Sequence, residues 1–130
     1  MTQQRDPIVW MVQQSWASTA DVTSAQKYGR IEYILGVNDR PGQWPEQCLK
    51  KIYAALEQYR EGDYFATTLA DPAGPMLLGI ALAEFGFDEI KWLRWERPPP
   101  DSSGERRAGA GTYVPGDIPV SQIVDIVGVG

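Results

Sequence analysis

The sequence has no histidine and a single cysteine, Cys48, among 130 residues. The first absence excludes every Ser-His or Cys-His catalytic pair and every histidine-based zinc site. The second excludes an internal disulfide framework and leaves zinc without a thiolate alternative. Cys48 reads as a small core or half-buried residue on a helix, because a nucleophilic cysteine wants a basic partner that the chain does not supply. The chemistry left is carboxylate acid–base work, carboxylate-bound Mg²⁺, or Lys/Arg electrostatics. The sequence assigns no catalytic residue, no metal ligand and no cofactor, and whether the protein is an enzyme stays open, with the balance against it.

Long apolar runs are also missing. The longest, 75–83, falls far short of the roughly 20 residues that span a bilayer. The run 8–12 is too short for a secretory signal, and no small-residue cleavage site follows it cleanly. The expectation is a cytoplasmic protein without a membrane partner. Positive charge is in deficit, with 12 Lys and Arg against 17 Asp and Glu and a net charge of −5. That balance favours solubility and gives no global attraction to nucleic acid or anionic lipid.

What is present suits one globular domain over 1–130. Hydrophobic residues make up 43% and charged residues 22%, ordinary proportions for a folded chain. Residues 1–7 are polar and read as a frayed lead. The continuous apolar run 8–12 suits a strand covered on both faces, ended by Gln13-Gln14-Ser15. Thr23 is placed to cap a short helix that stops at Gly29. A second strand covers 31–35. After the turn-rich "VNDRPGQWP", Pro45 opens a helix whose stripe is Leu49, Ile52, Tyr53, Leu56 and Tyr59, stopped by Gly62 and Asp63.

A third strand is expected over 64–69, and a second helix opened by Pro75 over 76–85. That helix is apolar nearly all round, so it should expose little surface unless a partner covers it. The segment 90–96 alternates and carries charge, as a half-exposed strand does. Residues 98–112 are rich in Pro, Gly, Ser and charge and read as a long loop. The β-branched tail is extended, and Pro115 and Pro119 confine it to an edge or to short pieces. The predicted fold is a small three-layer α/β domain. Its sheet is mainly parallel, with about four strands, helices on its faces and an antiparallel C-terminal edge segment.

The order of "IVWMVQQ", "AQKYGRIEYIL", "DYFATTLADP", "IKWLRWER" and a closing "YVP" resembles a group of short proteins from tailed phages and environmental viral sequences. That group shows a V-W-V-V-Q opening, a Y-G segment, a D-Y strand ending in G-D-P, an L-K-W-D-R strand and a Y-x-P-V close. The resemblance spans roughly 8–120. Two departures are Ala70, where the group tends to have glycine, and a longer loop at 98–112. It implies a phage or viral origin, and a place in the infected bacterial cell, but no activity, cofactor or catalytic residue.

Two constellations deserve weight. In "ATTLADPAGPMLLGI", Asp71 and Gly74 form the candidate ligand turn, a strand–loop–helix corner where helix amides hold anions. Pro72 and Pro75 lack N–H groups, which favours a rigid corner over a phosphate cradle. Trp92, Arg94, Trp95 and Arg97, with Arg106 and Arg107, form the candidate interaction surface, since Trp and Arg are frequent contact residues. The scattered Asp21, Asp39, Asp63, Asp71 and Asp88 have no diagnostic metal spacing; a parallel sheet would place Asp39 and Asp71 at one edge, with Asp21 a third candidate, and Asp63 at the opposite end. The reading is a phage-encoded accessory protein of unknown activity that acts by contact with a host or phage protein, through the late strand and the loop. Homo-oligomers through the C-terminal segment are a further expectation. The alternatives are a small nucleotide-binding domain or carboxylate/Mg²⁺ enzyme, and then a nucleic-acid-binding accessory protein, which the acidic residues around the arginines disfavour.

Overall fold

The computed structural model describes residues 5–15, 22–68, 70–97, 103–104 and 111–122. The elements in chain order are β1 (Ile8–Gln13), a 3-10 helix (Val22–Tyr28), β2 (Arg30–Leu35), α1 (Pro45–Gln58), β3 (Tyr64–Ala66), α2 (Ala73–Glu84), β4 (Glu89–Glu96) and β5 (Thr112–Pro119). They build one five-stranded sheet in the order β2-β1-β3-β4-β5. The first four strands are parallel, and β5 returns antiparallel along β4. The fold class read from the sequence is therefore the observed one.

β1 lies inside the sheet and every residue of it is buried, which is why it reads as an unbroken apolar run. Its alternation feeds two cores. Ile8, Trp10 and Val12 meet Ile52, Ala55 and Leu56 of α1 and Leu78, Ala81 and Leu82 of α2. Val9 and Met11 face the other way, with Ala25 of the 3-10 helix, Leu93 and Tyr113. Two helices on one face and a 3-10 helix on the other make three layers.

Three boundaries differ from the sequence expectation, each for a local reason. β3 stops at Ala66, because the chain then spends its polar groups sideways. Thr68 Oγ1 donates to the Gln13 carbonyl, and the Thr67 carbonyl accepts from the Tyr113 hydroxyl. α2 begins at Ala73, two residues before Pro75. The Asp71 carboxylate accepts from the Ala73 N–H and its carbonyl from the Gly74 N–H, so the first turn forms ahead of the proline. α1 stops at Gln58, because a tight turn from Arg60 to Asp63 follows, with Gly62 at φ +98°. β5 runs unbroken through Pro115, which sits opposite Leu93; both of its prolines lie on a sheet edge, where a missing N–H is tolerated.

Candidate functional site

The strand order reverses direction between β1 and β3, and in open α/β sheets the crevice beyond the carboxyl ends of the strands at such a point is where ligands enter. Here that position holds a cleft of about 190 Å³ lined by Gln13, Gln14, Ser15, Val37, Asp39, Arg40, Ala70 and Asp71. Gln13, the last residue of β1, is 5% exposed. Its Nε2 donates to the Gly36 carbonyl at 3.1 Å and to the Asp39 carbonyl at 2.7 Å. Two carbonyl acceptors fix which end of the amide is nitrogen. Its Oε1 is shut off from solvent and has no hydrogen-bond partner. Such an oxygen costs about 1–3 kcal/mol when left unpaired.

Asp39 folds its own loop, accepting from the Gly36 N–H at 2.7 Å and from Lys51 Nζ at 2.7 Å. Burial pushes its carboxyl up, and these bonds to Lys51 and Gly36 outweigh burial and hold it below the ordinary carboxylate value. Arg40 is exposed at the rim, and its guanidinium has no partner among the described residues.

Asp71 Oδ2 accepts from the Gly42 N–H and Oδ1 from the Ala73 N–H, both at 3.0 Å. It thus ties the β3–α2 corner to the β2–α1 loop. Gly74 is buried, and a Cβ there would sit 3.1 Å from Val12 Cγ1, so its place is the close approach of α2 to β1. The Ala73 and Gly74 N–H groups are both spent on Asp71, which leaves the corner short of the donors a phosphate needs.

The aromatic and arginine constellation divides between the faces of β4. Leu93 and Trp95 belong to the core under the 3-10 helix, with Trp95 edge-on to Tyr113 at 5.1 Å. Ile90 faces the helices, so the period of two puts Trp92 and Arg94 on that side. Both tryptophans are half-buried, each against a glycine: Trp92 over Gly116 of β5, Trp95 over Gly111 just before β5. Arg94 and Arg97 are exposed, and Arg94 pairs with Glu96 at 3.4 Å. Arg106, Arg107 and Asp21 lie outside the described residues, as does the tail 123–130 on which the homo-oligomer expectation rested.

Two features escaped the sequence reading. Asp63, 0% exposed at the amino edge of the sheet, accepts five hydrogen bonds, from Arg5 Nη1 and Nη2, the Ile8 and Arg60 N–H groups and Trp10 Nε1. Arg5, in the lead expected to fray, is thereby docked. The second feature is the outer side of α2: Met76 is 70% exposed and Ile80 52%, with Phe85 39% exposed just past the helix. Cys48 is buried, and burial, with the nearby Asp39 charge, pushes its thiol up, so it is an inert core residue. Among the described residues no three Cys, Asp or Glu side chains converge, and no helix is long and apolar enough to cross a membrane.

Neither the curated proteins nor the solved structures include a match to this chain. A family model does match, over residues 7–100, the stretch that holds β1 through β4 and both helices. The chain belongs to the Phage Pam3 gp32-like protein family.

Proposed function

We propose that this phage protein is an accessory factor acting by protein–protein contact. In this reading the outer side of α2 receives an apolar segment, flanked by Lys or Arg, of a phage or host protein. The observation that carries the reading is the exposure of Met76 and Ile80 on a helix that is uncharged from Ala73 to Ala83. A solvent-facing helix side normally carries polar residues, and contiguous exposed apolar surface marks interaction sites. The inner side of the helix, with Leu78, Ala81 and Leu82, is buried in the core, and the side with Met76 and Ile80 is left for a partner to cover.

Charge supports the choice of partner. Acidic residues stand at both ends of the helix, Asp71 before it and Glu84 and Asp88 at its close, and the helix itself carries no cation. A basic flank complements that rim, whereas anionic lipid and nucleic acid are repelled. A second copy fits less well. A 12-residue helix is roughly 18 Å long, so two copies meeting through it alone bury much less than the ~800 Å² per partner of a standard interface. Each copy also carries −5. The exposed Arg94 on β4 and Arg97 just past it are a weaker choice, because the tryptophans beside them already pack on the protein's own glycines.

The test is capture of partners from infected cells with the wild-type protein and the Met76→Glu/Ile80→Glu double variant, followed by reconstitution with the purified partner. The expected result is a partner held by the wild type, released by added salt, and lost at least tenfold in affinity by the variant. Equal binding by the variant overturns the reading. Loss with Arg94→Glu instead moves the contact to β4.

A further inference from the structure

The cleft at the carboxyl ends of β1 and β3 lies off the exposed side of α2 and makes a separate claim. We propose that it is a binding site for a small zwitterion, a free α-amino acid, whose ammonium donates to Gln13 Oε1 and Asp71 and whose carboxylate meets Arg40. Three observations converge. The Gln13 amide is pinned by two carbonyls on its nitrogen side, so its unpaired oxygen cannot turn away to find a donor elsewhere. An ammonium is the donor that such an oxygen lacks, and Asp71, whose carboxylate oxygens each hold one backbone amide, keeps further lone pairs for it. Arg40 lines the same cleft with an uncommitted guanidinium, the group suited to a carboxylate.

Size and donors decide the class of ligand. The cleft, about 190 Å³ and open to solvent on one side, has room for a ligand of amino-acid size. The Ala73 and Gly74 amides are already spent, so a phosphate finds no cradle at the start of α2. Lys51 is held by Asp39, which leaves Arg40 as the cation of the cleft among the described residues. The ammonium enters beside Asp71; the Gln13 amide keeps its nitrogen on the Gly36 and Asp39 carbonyls, and its oxygen, covered in the unliganded cleft, is opened to the ligand.

The experiment is a nuclear magnetic resonance titration of the ¹⁵N-labelled full chain with L-alanine, and separately with acetate and with ethylammonium, each of which carries half of its charge pattern. The expected result is saturable movement of the Gln13 side-chain amide and of the Gly42 and Ala73 backbone amides with L-alanine, with neither half-molecule saturating at the same concentration. Arg40→Ala, at an exposed residue whose side chain holds nothing in place, should keep the spectrum of a folded protein and weaken L-alanine at least tenfold. No saturable movement, movement with acetate alone, or undiminished binding by Arg40→Ala overturns the proposal.

Discussion

Asp63 shows how one residue can hold an edge of the molecule. Its carboxylate gathers the start of β1, the turn after α1 and the N-terminal Arg5. Burial pushes its carboxyl up, but bonds from Arg5, the Ile8 N–H, Trp10 and the Arg60 N–H more than offset this and hold it below the usual carboxylate value. Asp63→Asn replaces an acceptor-only group with one that must turn an N–H₂ toward donors. It should cost about 2–3 kcal/mol in urea unfolding. The sign of the pH effect follows. The folded carboxyl titrates lower than the unfolded one, so its stabilisation is complete above the unfolded value and is lost as pH falls through the folded one. The gap in stability between wild type and Asp63→Asn should therefore be constant above about pH 5 and shrink progressively as pH falls below about 4, the ordinary carboxylate value. A constant gap would show that the charge plays no part. In the sequence Asp63 looked like a helix stop, because its partners other than Arg60 are 53 to 58 residues away and no local pattern announces them.

Among the elements, α2 holds two glycines with opposite roles. A Cβ at Gly79 meets nothing within 4 Å, whereas one at Gly74 meets Val12. Gly79→Ala should stabilise by about 0.5–1 kcal/mol through helix propensity. Gly74→Val should destabilise by about 1–3 kcal/mol through overpacking against β1. Thermal unfolding of the two variants checks both. Met76→Glu/Ile80→Glu should leave stability within about 0.5 kcal/mol of wild type, because surface changes away from special contacts do little. The type and order of the elements were legible in the sequence because β1 and the stripe of α1 carry clean periodicities, and Pro45 marks the start of α1. The early start of α2 was not legible, because Asp71 rather than Pro75 forms its first turn. The shortness of β3 was not, because Thr67 and Thr68 trade ladder bonds for Tyr113 and Gln13.

For the whole molecule, the doubly covered sheet follows from alternating strands and helices, and the position of the cleft follows from the strand order, which no local pattern encodes. Gln13 read as the end of a strand. Its significance appears only when the loops at Gly36 and Asp39 close over it and leave an oxygen unpaired. The candidate arginines were visible as a cluster in the chain, yet alternation along β4 separates the tryptophans onto two faces. The exposed side of α2 was hidden in its all-round apolar composition, which tells that a helix wants cover but not whether the protein's own core provides it. The most direct test of the contact proposed for α2 places a photo-crosslinking amino acid at position 80, with position 97 at the end of β4 as the comparison, in infected cells. The expected result is a crosslink from position 80 to one phage or host protein, in an apolar segment flanked by Lys or Arg, and its disappearance when Met76→Glu is added. A crosslink formed from position 97 and not from position 80 would contradict it.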